Sequence, residues 1–296
     1  MALSFRHFCL LTFIIFLWAA NLIAIKYAVM ELPPLTAAAL RYFCTSLVFL
    51  PFLTWPGKKQ LWLIFQISFL MYVLHQGLLF IALKYLGASS TSVLLQTQVV
   101  FATLLSLLVF KEKIGLNTWS GIGISIIGIV VMLGSPDIME HPVGSIAVLL
   151  SAFTIAIGYI RMKQLHTVHP ATYMGLTAFM SVPFLFLGTF LWEPGSWANL
   201  PEANWYIVGP IFFFQATILS LTHFWWQRMI HQNDISRVSA FTLLVPVFTV
   251  ILSVLLLGET ITWPVAIGGI MTMAGVAIIM IRRIQKNVKT EIVSEP

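Results

Sequence analysis

The side chains able to do chemistry in this chain stand inside its apolar runs. Trp18 and Asn21 fall in the first run, Arg41 in the second, His75 and Gln76 in the third, and Gln96 and Gln98 in the fourth. Tyr159, Gln215, Thr217, His223, Trp226 and Gln227 occupy later ones. Amides, indoles, imidazoles and a guanidinium are tools of hydrogen bonding and charge recognition. In hydrocarbon each needs a partner, a wet cavity or a substrate. The chain has no GxSxG, HExxH, P-loop or pair of intramembrane aspartates, so no catalytic set is assigned and neither an intramembrane protease nor an ATP-driven pump is supported. Cys9 and Cys44 lie in apolar runs and give no disulfide framework, CxxC or metal spacing, and no cofactor is expected.

Each candidate has a structural use beside the functional one. Arg41 lies about two turns inside its run, and arginine cannot shed its charge. It reads either as half of a buried ion pair, with Glu31 or Glu259, or as a clamp for a substrate carboxylate. His75 is the most central group that titrates near neutrality and so a candidate proton carrier, or else a hydrogen-bonded helix tie. Gln96 and Gln98 point about 200° apart on a helix, so at most one faces a central path and the other bonds a neighbouring helix. Trp18 and Trp226 serve packing or a cation. Lys26 and Lys84 stand at helix C-terminal ends, where they complement the dipole and snorkel. With Arg41 they would also give one mouth of the bundle a positive field. Pro246, mid-run, is expected to remove a backbone hydrogen bond and kink its helix.

The elements that must position these groups follow from composition. The chain is 59% hydrophobic and 9% charged, with mean hydropathy +0.95. Soluble domains carry roughly 25% charged residues, so an integral membrane protein is expected. A helix crosses the hydrocarbon core in about 20 residues. Runs of that order occur near 8–29, 35–55, 61–83, 89–110, 117–134, 143–164, 171–192, 205–227, 236–257 and 263–282. Lipid leaves no unpaired backbone amides and no run alternates like a barrel strand, so ten helices are predicted in an all-α membrane fold. The first run is read as a retained span, being too long for a signal peptide.

Lysine and arginine are sorted by side. With both termini in the cytoplasm, thirteen of the sixteen basic residues fall on that face: Arg6, Lys58, Lys59, Lys111, Lys113, Arg161, Lys163, Arg228, Arg237, Arg282, Arg283, Lys286 and Lys289. The outer loops hold Glu31, Asp137, Glu140, Glu193, Glu202 and Glu259. The net charge of +6 is thus spread over short loops and a tail, which points to the lipid bilayer and not to nucleic acid. The tail, 283–296, is expected to be short, cytoplasmic and irregular.

An internal repeat organises the chain. A shift of 147 places Ser89 on Ser236, Ser92 on Ser239, Glu112 on Glu259, Gly121 on Gly268 and Gly128 on Gly275. Each half, 8–134 and 143–282, then holds five spans, and an odd number sets the halves in opposite orientation. Inverted repeats suit alternating access about a midplane site. Gly121, Ser125 and Gly128, with Gly268, Thr272 and Gly275, form small-residue stripes fit for close packing, either of helix 5 on helix 10 or in a homodimer.

Trp18-Ala-Ala-Asn21 with Ile25-Lys26, Pro33-Pro34 with Leu40-Arg41-Tyr42-Phe43, and Phe110-Lys-Glu112 before Gly121 resemble the EamA family of the drug/metabolite transporter superfamily. The second half repeats the pattern in Leu243-Leu244-Val245-Pro246 and Leu257-Gly258-Glu259 before Gly268 to Gly275. The resemblance covers about residues 8–282. Leu95-Gln96-Thr97-Gln98 stands where the family often has proline, which resembles the branch exporting amino-acid metabolites such as cysteine and O-acetylserine. The resemblance implies a ten-helix bundle exporting a small-molecule substrate across a bacterial inner membrane. It further implies a cavity lined by Trp18, Asn21, His75, Gln76, Gln96, Gln98, Tyr159, Gln215 and Trp226. The competing expectation, a signalling or scaffold protein with a transporter-like bundle, would require a partner surface outside the bilayer.

Overall fold

The computed structural model describes residues 5–110, 114–165, 168–198, 200–232, 238 and 241–294. Lys111, Glu112, Lys113, Asp234, Ser236, Arg237 and Ser239 lie outside the described residues, as do the side chains of Gln227, Arg282, Arg283, Lys286 and Lys289. Ten apolar helices are described, with no strand among the described residues. They are α1 (Phe5–Glu31), α2 (Pro34–Phe52), α3 (Lys58–Tyr85), α4 (Ala88–Val109), α5 (Leu116–Leu133), α6 (Pro142–Met162), α7 (Pro170–Trp192), α8 (Trp205–Trp226), α9 (Phe241–Leu257) and α10 (Trp263–Ile281). Nine are long enough to cross a membrane, and α9 is shorter. The chain is a multi-pass membrane protein.

Local chemistry sets the helix starts and stops. Proline occupies the first turn of α2, α6 and α7, where its missing amide and fixed φ cost nothing. Gly258 closes α9 in the left-handed region, at φ 66°, which a side chain would resist. The last helix runs past its apolar part to Ser294, where the sequence reading expected an irregular tail.

Several helices are not wound uniformly. In α3, Ser68–His75 is π-helical, and α9 ends in a second π segment, Ser253–Leu257. In α4 the α-helix breaks at Gln96, and in α8 at Thr217. Such irregular winding re-aims side chains inside a bundle and often marks functional sites. The kink expected at Pro246 takes another form: α9 opens with a 3-10 turn, Phe241–Leu243, and Pro246 falls in the first turn of the α segment beginning at Leu244. There the loss of an amide donor matters least, so the change of winding replaces a mid-helix kink.

The small-residue stripes are buried inside the chain, between α5 and α10. A Cβ at Gly121 would lie 2.8 Å from the Gly275 carbonyl oxygen, and one at Gly128 would lie 2.6 Å from that of Gly268. Any larger residue would push the backbones apart. A homodimer would therefore have to use another surface.

Candidate functional site

At one end of the bundle, where α1, α3, α7 and α9 finish, polar ties close the space between helices. Glu193 accepts from the Leu35 and Thr36 amides at 2.8 and 2.9 Å and from the Thr36 hydroxyl at 2.8 Å. Glu259 does the same for α4, accepting from the Ala88 amide at 2.6 Å, the Ser89 amide at 3.0 Å and the Ser89 hydroxyl at 2.5 Å. Each carboxylate thus caps a foreign helix N-terminus, satisfying orphan amides and meeting the positive dipole end. Gly87 makes room for this, because a Cβ there would approach the Glu259 carboxylate to 2.8 Å.

Lys26 and Lys84 are engaged at the same end. Lys26 Nζ donates to the Leu83 and Leu86 carbonyls at 2.8 and 2.9 Å. Lys84 Nζ donates to the Val29 carbonyl at 2.8 Å. Each ammonium satisfies carbonyls at the end of the other's helix, so both are ties between α1 and α3 rather than free charges at a mouth.

Below these ties lies the Arg41 cluster. Arg41 is 6% exposed; its Nη1 donates to Gln76 Oε1 at 3.1 Å. Its guanidinium sits over the Tyr42 ring at 5.0 Å and the Phe80 ring at 5.8 Å. The counter-ions weighed for it are engaged elsewhere: Glu31 accepts from the Asn204 amide at 3.2 Å, and Glu259 caps α4. The ion-pair reading of Arg41 with either glutamate is therefore not realised. Tyr42 meets Tyr72 edge to face at 5.4 Å.

His75 ends the π segment and is locked to α6. Its Nδ1 lies 2.7 Å from the Ser151 hydroxyl and 3.1 Å from the Ser151 carbonyl, and that hydroxyl donates to the His75 carbonyl at 2.9 Å. A carbonyl only accepts, so Nδ1 carries the proton. The ring works as a tie between α3 and α6.

The second wall is the inner side of the α1–α8 seam. Trp18 Nε1 donates to Thr222 Oγ1 at 2.8 Å, and its ring lies 5.2 Å from that of His223 and 4.9 Å from that of Trp226. One helical turn along, Gln215 Nε2 donates to Asn21 Oδ1 at 2.9 Å. Gln215 Oε1 is buried with no partner, as is Gln98 Oε1. Buried acceptors without protein donors are rare in folded proteins.

The structure therefore gathers Trp18, Asn21, Gln215, His223 and Trp226 along the α1–α8 seam and Arg41, His75 and Gln76 around the α2–α3 contact. Gln96 is buried at the break in α4, and Tyr159 is 40% exposed on α6, near Tyr72. Pro246 is buried in α9. Sequence reasoning missed Tyr42, Tyr72, Ser151 and Thr222. The spacing of Tyr72 and Gln76, one turn apart, was the available signal. A separate groove of about 650 Å³ between α2, α3 and α7, lined by Phe43, Phe65, Phe179 and Pro183 among others, holds none of these polar candidates. Among the described residues no cluster of histidine, cysteine or carboxylates is arranged to hold a metal.

The model of the EamA-like transporter family matches residues 7–134 and again 142–281. A "Probable amino-acid metabolite efflux pump" of Salmonella typhimurium is 29% identical over 278 residues, 90% of this chain and 91% of that protein. One bearing the same name in Escherichia coli is 26% identical, over 90% and 91%. An "Uncharacterized transporter" of Archaeoglobus fulgidus is 26% identical, over 90% and 94%. A solved crystal structure covers 94% of this chain and 98% of its own with a TM-score of 0.55 and 17% identity, a likeness of fold alone.

Proposed function

The chain belongs to the EamA-like transporter family, and from that premise we propose a secondary transporter that exports amino acids or related small metabolites by alternating access. In this reading it lies in a bacterial inner membrane with both termini cytoplasmic, an orientation that the sorting of basic residues supports. The name of the Salmonella relative supports the substrate class.

The observation that carries the reading is Arg41: a buried guanidinium held by an amide oxygen and two aromatic rings, with neither candidate carboxylate beside it. An arginine in hydrocarbon is costly and is stabilised by a counter-charge, and a substrate carboxylate supplies one bidentately. In this reading the Asn21–Gln215 amide pair and the rings of Trp18, His223 and Trp226 take the amino group and side chain. His75 positions Gln76, and with it Arg41, by holding the turn that presents them.

The family model's two matches support two five-helix repeats, and the contact pattern of α5 on α10 supports their inversion. Gly121 meets Gly275 and Gly128 meets Gly268, as a pseudo-two-fold axis between the helices demands. The glutamate caps at the acidic end then belong to the closed outer gate. No described surface favours the scaffold reading.

The test is counterflow in liposomes holding the purified chain and a panel of labelled amino acids. Exchange of at least one carboxylated solute, abolished in Arg41→Gln at unchanged insertion, is expected. Equal exchange by that variant would remove Arg41 from the site, and no exchange of any solute would remove the transport reading.

A further inference from the structure

A second site lies at the other end of the bundle, on the outer side of the α1–α8 seam. The helix of α8 runs on past its apolar part to Gln232, and a cavity of about 300 Å³ opens between the first turns of α1 and this end of α8, lined by Arg6, His7, Leu10, Trp225, Arg228 and Met229. Among the described residues no carboxylate lines it. Two arginines more than 200 positions apart in the sequence both line it, and neither can lose its proton. A pair of guanidinium forks suits a phosphodiester anion.

What joins the cavity to the bilayer is the helical stripe below it. Arg6, Leu10 and Phe13 share one face of α1, and Arg228, Trp225 and Leu221 share one face of α8, each at three- and four-residue spacing. Phe13 is 49% and Leu221 50% exposed, so the apolar track continues outward from the two arginines toward hydrocarbon. Trp225 stands at the join, where an indole suits the headgroup boundary. The solute wall lies elsewhere: Trp18 and Thr222 are turned roughly 100° round their helices from these stripes.

We propose that this cavity is a binding site for an anionic diacyl phospholipid, its phosphodiester held between Arg6 and Arg228 and an acyl chain laid along Leu10, Phe13, Trp225 and Leu221. A free phosphate would satisfy the arginines but leave the apolar track bare, so the lipid is the occupant that the whole surface fits. The site pins the start of α1 to the end of α8 and stands whether or not the chain transports amino acids.

The purified full-length chain is delipidated and returned to nanodiscs of equimolar phosphatidylglycerol and phosphatidylcholine, and lipid carried through mild detergent release is counted by native mass spectrometry. About twenty-five-fold enrichment of phosphatidylglycerol is expected, since two arginines each contribute on the order of a fivefold preference near an anionic surface. Enrichment should collapse in the Arg6→Gln, Arg228→Gln double variant and persist in part with lysine at both positions, which keeps the charge and loses the fork. Should the double variant fail to fold, Phe13→Ser and Leu221→Ser, which cut the track and leave the arginines, should lower the number of lipids retained while the preference for phosphatidylglycerol persists. Equal retention of the two lipids by the parent chain, undiminished enrichment in the arginine variant, undiminished lipid retention in the track variants, or complete displacement of the lipid by millimolar glycerol phosphate would each overturn the proposal.

Discussion

Ser125 donates its hydroxyl to the carbonyl of Thr272 at 3.3 Å, and the two residues stand 147 positions apart, the offset at which the sequence repeats. Corresponding positions of the two halves therefore touch, with Gly121 against Gly275 on one side and Gly128 against Gly268 on the other. Replacing Gly128 by leucine drives a side chain into the opposite backbone, and overpacking of this kind costs about 1–3 kcal/mol. A lowered melting temperature in detergent is expected for Gly128→Leu. Gly123→Leu, where nothing lies within 4 Å, should leave it unchanged. Equal melting of the two variants would mean that the seam tolerates separation.

Glu259→Gln keeps the shape of the α4 cap and removes its charge. The carboxylate accepts on both oxygens, whereas the amide has a single acceptor and its NH2 must face a backbone N–H, so at least one of the three bonds is lost and the rest weaken, at about 1–3 kcal/mol. If this cap belongs to the outer gate, the open form gains population by roughly tenfold. A cysteine at Leu86, 2% exposed in the parent, should then react about tenfold faster with an impermeant maleimide from outside the cell, Cys9 and Cys44 having been replaced. An unchanged labelling rate would separate the cap from the gate.

Arg41 is expected to act on substrate affinity. Arg41→Lys retains the charge but not the fork, and should raise KM by about ten- to a hundredfold with a smaller change in the maximal rate. A decarboxylated analogue of the transported solute should fail to compete in the parent. Competition by that analogue would show that the guanidinium does not meet a carboxylate.

Lys26 and Lys84 form one unit, because each satisfies carbonyls on the other's helix. Methionine at either position leaves buried carbonyls unpaired, at about 1–3 kcal/mol. In a double-mutant cycle the joint loss should fall short of the sum by 0.5 kcal/mol or more, as an order of magnitude for coupled neighbours. Strict additivity in chemical denaturation would show two independent anchors.

His75→Gln tests whether the imidazole carries protons or holds helices. As a tie, its loss lowers stability, as does Ser151→Ala, and the two losses overlap in a double-mutant cycle. Transport driven by a pH gradient, if the parent shows it, should persist in His75→Gln. Abolition of that dependence at full stability would return the proton role to His75.

Span number and the inventory of intramembrane polar groups were legible in the sequence because both are local properties. Hydropathy over twenty residues is set by the solvent the helix must cross, and a lone arginine among apolar neighbours is visible without any fold. Partnerships were not legible. Glu259 finds Ala88 and Ser89 across about 170 positions, and Gln215 finds Asn21 across 194. Nothing in either neighbourhood names the other.

Helix rotation and winding decided the rest. The π segment Ser68–His75 turns the face of α3, so His75 meets Ser151 while Gln76 meets Arg41. Uniform 3.6-residue winding, the assumption behind any reading of faces from spacing, does not hold there. Sequence determined which groups are buried in lipid. Only the packed bundle decided that the two lysines close on each other's helices while Arg41 is left to an amide and two aromatic rings, because ionic partners in hydrocarbon are assigned by distance and not by type.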